Sequence, residues 1–466
     1  MKWLFCNCFA LLIGTFIPTN ATAEFMPPQS QIMSDMVSAN HYFTNEWPNS
    51  GCAKCLSGNH PSCIWTRATY IEGALAMYQI NHDTNIYNYA VQWGAFTNWN
   101  LRYGDTDKLQ DDQSVSAEYF ELYQLDTNHP ERVAHAITNL NFLVGRTNED
   151  YLYYVDSLHM VMPAFAKAFA ITGNTNYSEK MYSYFHFAKS IIGISNGLYN
   201  ATDHLWWRDT NYLNNYKAAD DTTQKCYWSR GNGWAFVALA RVLEVLPTNE
   251  VHFAEYLQTF QQMAAALKDT QRTDGFWNVN LGYTNDYPGP ESSGTACFTY
   301  GFAWGIRHGY LDRNSYLPAV IAGWNALANH ALHHSAGSDN GFIGYVQGTG
   351  AKPADSQPVT YNSVPNFDDF TLGLFLLAGS EIYQLSSAPD ITLSAPTISD
   401  KQVQFDFTII TSQTNGTIDL LETPDLANDW TTNHVALLTT NIPGFSYRFT
   451  IAEESPAEFY RLQLSE

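Results

Sequence analysis

Apolar residues recur at intervals of three and four positions over most of the chain, from about Gln31 to Leu385. This spacing is typical of amphipathic α-helices, which bury one face and expose the other. Several segments end in Gly-Asn or Gly-Tyr before the next one begins, as helix C-termini commonly do. The pattern predicts about twelve helices, including a first one near 31–43, one near 85–101 and a last one near 369–385. Long loops rich in glycine and aromatic residues join them, which favours a helical toroid with its loops gathered at one end.

The pattern changes after the sequence SSAPD. Apolar and polar residues alternate between turn residues in the stretch ITLSAPTISDKQVQFDFTIITSQTNGTIDLLET, and this alternation is typical of β-strands. We therefore predict a helical domain over residues 24–388 and a separate small domain, resembling a β-sandwich, over residues 389–466.

The N-terminal residues MKWLFCNCFALLIGTFIPTNATA combine one lysine, an apolar run and an Ala-Thr-Ala ending. Such a composition predicts a signal peptide over residues 1–23, cleaved from a secreted or periplasmic protein. The apolar run is too short for a membrane-spanning helix, and no later stretch reaches about 18 apolar residues. We expect an exported protein without a membrane span.

Three cysteines cluster in GCAKCLSGNHPSC, at Cys52, Cys55 and Cys63, with His60 between them. These residue types suit a zinc site. In an exported chain a loop held by a disulfide is the favoured interpretation, although the sequence does not say which two cysteines pair.

The formal net charge is −22, which argues against nucleic acid as a partner because phosphate binding needs basic patches. An anionic substrate would need local arginines or lysines to overcome this field. The chain contains 13 Trp and 29 Tyr, whose ring faces suit stacking on sugars as well as packing in a large core.

Carboxylates stand at the entrance of three predicted helices. Asp111 and Asp112 lie in KLQDDQSVSAEYFELY, Asp156 lies in YYVDSLHMVMPAF, and HLWWRDTNY carries Arg208 and Asp209. Aspartate is also a preferred N-cap, so plain capping is the alternative for each. The aromatic run YLYY before Asp156 favours chemistry there, because a carboxyl group walled by rings has a raised pKa and serves as an acid near neutrality.

The stretch CYWSRGNGWAF, residues 226–236, places Trp228, Arg230 and Trp234 beside two glycines. Glycine costs about 1 kcal/mol in a helix interior. We therefore predict a loop that presents aromatic faces and a cation to a ligand, the alternative being a junction between helices lined by tryptophan.

The chain resembles the unsaturated uronyl hydrolases of glycoside hydrolase families 88 and 105, and the second more closely. The matching stretches are DDQSVSAEYFELYQL, DSLHMVMPAFAKAFAITGN, HLWWRD, WSRGNGWAFVALARVLEVLP, ESSGTACFTYGFAWGIRHGYLDR and GLFLLAGSEIYQL, in the same order over roughly residues 65–385. The resemblance implies an all-α (α/α)6 barrel with an active cleft at one end. Because the sequence of the helical domain shows neither metal-site spacing nor a glycine loop of the kind that cradles phosphate, we expect no cofactor or metal.

The family reaction removes the 4,5-unsaturated uronic acid that polysaccharide lyases leave at the non-reducing end of oligosaccharides. A carboxylic acid protonates C4 of the enol ether, water adds at C5, and the resulting hemiketal opens to release the remaining sugar chain. An unsaturated uronyl oligosaccharide, with a rhamnogalacturonyl or glucuronyl unit, is therefore the implied substrate.

By resemblance, Asp156 matches the acid/base position, and Asp111 matches the second carboxylate, with adjacent Asp112 leaving that register open. Arg230 and the two tryptophans of the WSRGNGW stretch match the substrate-binding residues. The chain departs from the family in two places, because no histidine shortly precedes Asp156 and because position 208, where some relatives carry a sugar-contacting histidine, is Arg208. The residues predicted for the site are therefore Asp156 and Asp111 as catalytic groups, and Asp112, Arg208, Trp228, Arg230 and Trp234 as substrate-binding groups.

Two other functions fit the same residues. One is an ordinary inverting glycosidase on the same barrel, with Asp156 as acid and Asp111 or Asp112 as base. The other is a non-catalytic protein that binds sugars in the aromatic cleft. The fate of the C4=C5 chromophore distinguishes them, since only hydration destroys it.

Overall fold

The computed structural model of the chain describes most of the residues after position 25. The described ranges are 26–51, 54–55, 58–59, 62–146, 152–192, 197–213, 216–335, 337–350, 352–363, 369–386, 390–394, 397–399, 402–410, 417–423, 431–433, 436–442, 446–452 and 459–465. The predicted signal peptide lies outside them. None of the helices in these ranges has both the length and the hydropathy that crossing a membrane requires.

Twelve α-helices occupy the described part of the chain up to residue 386, the number that the sequence pattern predicts. They are α1 (Gln29–Glu46), α2 (Trp65–Asn81), α3 (Thr84–Phe96), α4 (Gln110–Leu125), α5 (Glu131–Val144), α6 (Ser157–Thr172), α7 (Thr175–His186), α8 (Ser229–Val245), α9 (Phe253–Asp269), α10 (Ser292–Arg307), α11 (Arg313–Asn325) and α12 (Asp369–Leu385).

The even-numbered helices form a closed ring. Helix α2 packs against α4, α4 against α6, α6 against α8, α8 against α10, α10 against α12, and α12 returns to α2. The odd-numbered helices pack outside this ring, α1 on α12, α3 on α2, α5 on α4, α7 on α6, α9 on α8 and α11 on α10. Inner helices such as α10 are buried on almost every side, whereas outer ones such as α9 bury a single stripe. This difference explains why the amphipathic period is clearest in the outer helices.

Glycine allows the ring to close between α2 and α12. A Cβ atom on Gly73 would lie 1.9 Å from the carbonyl oxygen of Gly373, and a Cβ atom on Gly373 would lie 2.1 Å from that of Thr69. No side chain fits at either position, so the two backbones touch directly. The close approach holds the first and last inner helices together.

The chain also forms β-strands. Two short hairpins come from β1 (Lys54–Cys55) with β2 (Gly58–Asn59), and from β3 (Tyr199–Asn200) with β4 (Leu205–Trp206). The C-terminal strands are β5 (Asp390–Leu393), β6 (Thr397–Ser399), β7 (Gln402–Ile410), β8 (Thr417–Thr423), β9 (Thr431–Thr432), β10 (Leu437–Ile442), β11 (Ser446–Ala452) and β12 (Phe459–Ser465).

These C-terminal strands form two antiparallel sheets, one in the order β10-β11-β7-β5 with β6 also paired to β7, and one in the order β12-β8-β9. In the first sheet Tyr447 faces Phe407 and Phe449 faces Phe405. Leu420 of the second sheet joins these rings in one small buried cluster. Two sheets that share a core are the arrangement of a sandwich.

The cysteines are only partly described. Cys63, Cys226 and Cys297 are free, buried thiols. Cys52 and His60 lie outside the described residues, and the side chain of Cys55 is not described. The disulfide loop and the zinc alternative therefore stay predictions.

Candidate active site

A cavity of about 460 Å³ lies at the N-terminal ends of the inner helices. Trp65 begins α2, Asp111 lies in the first turn of α4, Asp156 precedes α6 and Trp228 precedes α8. Loops between the helices complete the wall. The lining consists of Trp65, Asp111, Tyr154, Asp156, Met160, Arg208, Trp228, Arg230, Trp234, Thr349, Gly350 and Asp355.

Six of the seven residues that the sequence predicts for the site belong to this lining, and Asp112 does not. Asp112 is only 1% exposed, and Nη1 of Arg102 lies 3.9 Å from its carboxylate. Burial, together with the nearby charge of Asp107, raises the pKa of Asp112 to about 7. Of the two adjacent aspartates, Asp111 is therefore the one whose side chain reaches the cavity.

Asp156 occupies the N-cap position of α6, but its side chain accepts no capping hydrogen bond. It is 9% exposed, and its Oδ2 atom is buried without a hydrogen-bond partner. Burial raises the pKa of the Asp156 carboxyl, although the positive charge of Arg208 opposes the shift. Because helix capping does not account for this residue, its carboxyl group is free for chemistry in the cavity.

Asp111 lines the same cavity as Asp156 and is affected by its charge. The Tyr154 hydroxyl lies 3.2 Å from Oδ1 of Asp111 and 3.1 Å from Oε1 of Gln110, and its single proton is donated to one or the other of these acceptors. Desolvation within the cavity and the negative charge of Asp156 both raise the pKa of Asp111. Two carboxyl groups with raised pKa values in one cavity are a common sign of acid–base function.

Arg208 lies beside Asp156 because the two segments pair. The Val155 N–H donates to the Arg208 carbonyl oxygen at 2.9 Å. Nε of Arg208 is then 3.4 Å from Oδ2 of Asp156, and Nη1 donates to Oδ2 of Asp209 at 2.8 Å. The guanidinium carbon lies 4.6 Å from the centre of the Tyr154 ring. Asp209 itself caps a short 3-10 turn by accepting from the Asn211 N–H, so it is a structural aspartate that holds Arg208.

The prediction of a loop over residues 226–236 is wrong from Ser229 onward, because α8 begins there with Trp228 as its N-cap. The glycines serve close packing between helices. A Cβ atom on Gly233 would lie 2.7 Å from Cβ of Cys297, and one on Gly294 would lie 2.8 Å from Cβ of Ser229. This contact between α8 and α10 outweighs the poor helix propensity of glycine.

Arg230 anchors a loop of the cavity wall. It is 1% exposed, and its guanidinium donates to the carbonyl oxygens of Gln347 at 2.6 Å and Gly348 at 2.8 Å. The Trp228 indole N–H donates to Oε1 of Gln347 at 2.8 Å. Residues Thr349 and Gly350, which line the cavity, follow directly. Arg230 thus faces the cavity while most of its hydrogen-bonding capacity is used by the protein.

The tryptophan faces are held by other rings. The Trp234 ring stacks at a tilt on His159, with centroids 4.8 Å apart, and the edge of Trp65 meets it at 5.8 Å. Nε2 of His159 lies 3.0 Å from Oε2 of Glu72, whose other oxygen lies 2.9 Å from Nε of Arg241. These charged groups are buried beneath the cavity in the centre of the helix ring.

Sequence reasoning missed several lining residues. Trp65, Met160, Thr349, Gly350 and Asp355 were not predicted, and Tyr154 entered only as part of an aromatic run. Trp65 at the start of a helical pattern and Asp355 in a loop rich in Gly, Pro and Asp carry no pattern of their own. In the described part of the chain, no three His, Cys, Asp or Glu side chains lie close enough together to hold a metal ion.

Comparisons with known proteins concern the helical part of the chain. Residues 31–386 match Glycosyl Hydrolase Family 88. An unsaturated 3S-rhamnoglycuronyl hydrolase from Formosa agariphila is 33% identical over 238 residues, which are 50% of this chain and 58% of that relative. The match thus spans less than two thirds of the relative's length.

Two solved structures resemble the chain over its helical part. Glycosyl hydrolase family 88 from Bacteroides vulgatus has a TM-score of 0.67 and 31% identity, covering 77% of this chain and 99% of that one. A protein described as a polysaccharide lyase has a TM-score of 0.68 and 30% identity, covering 78% of this chain and 99% of its own.

Proposed function

The chain belongs to glycosyl hydrolase family 88, and from this premise we propose that it removes a 4,5-unsaturated uronic acid from the non-reducing end of oligosaccharides made by polysaccharide lyases. The ring of inner and outer helices is then an (α/α)6 barrel, with its cleft at the N-terminal ends of the inner helices. The observation that carries the proposal is the carboxyl group of Asp156, which is buried at the cavity, makes no capping bond and has a raised pKa.

The proposed chemistry assigns one task to each carboxyl group. Protonated Asp156 donates its proton to C4 of the enol ether, and positive charge develops on C5 and the ring oxygen. The resulting Asp156 carboxylate accepts a proton from the water that adds at C5. Asp111, held by the Tyr154 hydroxyl, orients the sugar hydroxyls or that water. The hemiketal formed at C5 then opens and releases the rest of the sugar chain.

The cavity supports this assignment through its surroundings. A general acid must hold its proton near neutral pH, and burial raises the pKa of Asp156 in that direction. Trp65, which is partly exposed, offers a ring face for a sugar. Trp228 and Trp234 are each only 1% exposed and form the wall of the cavity, so the predicted stacking of a sugar on these two rings is not supported. Arg208 supplies local positive charge for a uronate in a chain whose net charge is −22.

For the sugar that follows the uronate, we propose rhamnose. The basis is the similar protein from Formosa agariphila, whose description as an unsaturated 3S-rhamnoglycuronyl hydrolase specifies a rhamnose–uronate linkage. Galacturonyl and hexosamine linkages would be outcomes of the same substrate screen. Export of the protein stays a prediction from residues 1–23, as does an accessory role of the C-terminal sheets.

Eliminative cleavage is the second candidate function, because one similar structure is described as a polysaccharide lyase. A lyase needs a base that removes the proton at C5 of an intact uronate. Burial and the negative charges of Asp111 and Asp156 raise the pKa of Tyr154 far above its ordinary value, so this tyrosine keeps its proton near neutral pH and almost no phenolate is present to act as the base. The cavity is better suited to donating a proton than to removing one.

One experiment separates these possibilities. The purified protein is incubated with unsaturated uronyl-rhamnose disaccharide and, separately, with the intact polysaccharide, while ultraviolet absorbance of the C4=C5 bond is followed. Hydration predicts loss of absorbance with the disaccharide, and release of rhamnose. Gain of absorbance from the polysaccharide would indicate a lyase. An ordinary glycosidase would release the sugar and leave the absorbance unchanged, and no change in either reaction would leave a sugar-binding protein.

A further inference from the structure

Arg208 and Arg230, the two arginines of the cavity, differ in how many of their guanidinium N–H groups donate hydrogen bonds to the protein. Arg230 already donates from Nη1 and Nη2 to two backbone carbonyl oxygens. Arg208 donates from Nη1 to Asp209. Its Nε is buried without a hydrogen bond, and no described residue accepts one from its Nη2. Arg208 is also 19% exposed at the side chain, against 1% for the whole of Arg230.

We propose that Arg208 is the residue of this cavity that binds an anionic group of the sugar, and that the bound anion and a proton on Asp156 stabilise each other. The inference rests on the proposed function only in assigning the anion to a uronate carboxylate. It concerns Arg208 itself, where this chain departs from the histidine of some relatives.

The geometry gives the reason. Nε of Arg208 lies 3.4 Å from Oδ2 of Asp156, close enough for ionic attraction but without a hydrogen bond. Before a ligand binds, Asp156 and Asp209 are the carboxylates next to this guanidinium. A uronate that accepts hydrogen bonds from Nε and Nη2 competes with Asp156 for the same positive charge. It also brings a second negative charge against the Asp156 carboxylate, so the carboxylate takes up a proton from solvent.

Other charges around Asp156 leave this competition in place. Arg230 on α8 also favours the ionised form of Asp156, but two of its guanidinium nitrogens already donate to the loop carbonyls. Asp209 is negative and raises the affinity of Asp156 for a proton further, and the negative charge of Asp156 in turn raises the pKa of Asp111. The remaining titratable groups of the surroundings are Tyr154 and Asp355 in the lining and His159 on α6, whose imidazole lies against Glu72.

This coupling would give the enzyme a useful property. For a carboxyl group whose pKa is strongly raised in the empty cavity, the ionised form costs the folded protein free energy. A carboxyl group with an ordinary pKa is ionised near neutral pH and has no proton to donate when the substrate binds. If the substrate's own carboxylate fixes the proton on Asp156, the acid is protonated specifically in the complex. A neutral sugar would not produce this state, so the charge of the sugar would contribute to selectivity as well as affinity.

The test uses D-glucuronate, which lacks the reactive double bond and stays ionised above about pH 5, and D-glucuronamide as its neutral counterpart. Binding is measured by titration calorimetry between pH 5 and pH 8 in buffers of different ionisation enthalpy. For the wild type, the affinity for glucuronate should fall about tenfold or more as pH rises, since a neighbouring arginine shifts a carboxyl pKa by about one unit or more. Binding should take up a proton, while glucuronamide should show neither effect.

Three variants complete the test. Arg208→Gln should lose about tenfold or more of the affinity for glucuronate together with the proton uptake. Asp156→Asn should keep the affinity but lose the dependence on pH. Arg448→Gln is the matched control, because it removes the same charge from the C-terminal sheets, where Arg448 pairs with Asp406, and should behave as the wild type.

Unchanged binding by folded Arg208→Gln, a glucuronate affinity independent of pH in the wild type, or no binding of glucuronate by the wild type would each overturn the proposal. Arg208→Lys checks the fold, because it keeps the charge and should retain part of the affinity. None of these measurements depends on turnover. A protein that binds glucuronate as described but leaves the unsaturated chromophore intact would refute the proposed function and not the role of Arg208.

Discussion

Replacing Asp156 by asparagine separates its chemistry from its structural role. Asparagine has nearly the same shape but cannot donate a proton to carbon. General acid–base catalysis contributes about 10²–10⁴-fold to a rate, so kcat on an unsaturated uronyl disaccharide should fall by at least about 100-fold. The fall should reach the upper end of the range because the same group is proposed to accept the proton of the attacking water.

The structure indicates that this change costs little stability. The Asp156 side chain makes no capping bond that asparagine would have to replace. Arg208 keeps its 2.8 Å hydrogen bond to Asp209. Burial raises the pKa of Asp156 against the attraction of Arg208, which means that the folded protein disfavours the charge that asparagine removes. We expect the free energy of unfolding to change by less than about 1 kcal/mol, the usual size for a substitution that breaks no hydrogen bond.

The assay is the rate at which the C4=C5 absorbance disappears, with urea unfolding as the measure of stability. Asp312→Asn provides the control. Unlike Asp156, the N-cap residue Asp312 makes a capping hydrogen bond, in which its side chain accepts from the Ser315 N–H at 2.8 Å. Asparagine caps about as well as aspartate, so that variant should keep full activity. If Asp156→Asn also works within a few-fold of the wild type, the proton must come from Asp111, and the assignment of the acid is refuted.

Three further outcomes are expected. Arg230→Ala should lower the free energy of unfolding by about 2–3 kcal/mol and raise KM, because the carbonyl oxygens of Gln347 and Gly348 lose a charged donor; unchanged urea unfolding would contradict the anchoring role. Burial raises the pKa of Glu118 to about 8. Below about pH 4.3 the folded and unfolded chains both carry this proton, and as pH rises from there to 8 the unfolded chain loses it first, so the free energy of unfolding falls progressively. The free energy of unfolding of Glu118→Gln relative to the wild type, measured with urea, should therefore increase by at least about 1 kcal/mol from pH 5 to pH 8. An equal difference between the two proteins at both pH values would refute this reasoning. A variant ending at Ser387 should fold by circular dichroism and keep its rate on soluble disaccharides; loss of turnover by the folded variant would assign the C-terminal strands to the site.

The number and placement of the helices could be predicted from the sequence because the apolar spacing of an amphipathic helix is visible within its own residues. The predicted first helix near 31–43 and last helix near 369–385 correspond to Gln29–Glu46 and Asp369–Leu385. Closure of the ring could not be predicted in this way. It depends on Gly73 meeting the backbone of Gly373, 300 positions away in the chain, and nothing near either glycine indicates that contact.

The division of labour between the two arginines illustrates the same limit. Both were predicted as substrate-binding residues from the family resemblance, Arg230 in the WSRGNGW stretch and Arg208 at a position where some relatives carry a sugar-contacting histidine. The partners that bind Arg230 come from a loop 117 positions later in the chain, whereas Arg208 is paired with the segment that carries Asp156. Similarly, the glycines of the WSRGNGW stretch look like loop residues until Cys297 on α10 is seen against Gly233. Residue type suggests what a side chain can do, and only the contacts decide which task it performs.

The cavity lies at helix N-termini, where opposing effects act on the pKa values of its carboxyl groups. Helix N-termini carry partial positive charge and favour ionised carboxylates, an effect worth about 0.3–1 kcal/mol. Asp111 and Asp156 both lie at such ends, and Arg208 adds a full positive charge beside Asp156. Both carboxyl groups nevertheless have raised pKa values, with desolvation as the leading cause. Desolvation therefore outweighs the attraction of Arg208 at both carboxyl groups, and each of them holds a proton more firmly than a surface aspartate. A cation close to Asp156 then leaves its proton sensitive to any anion that enters the cavity.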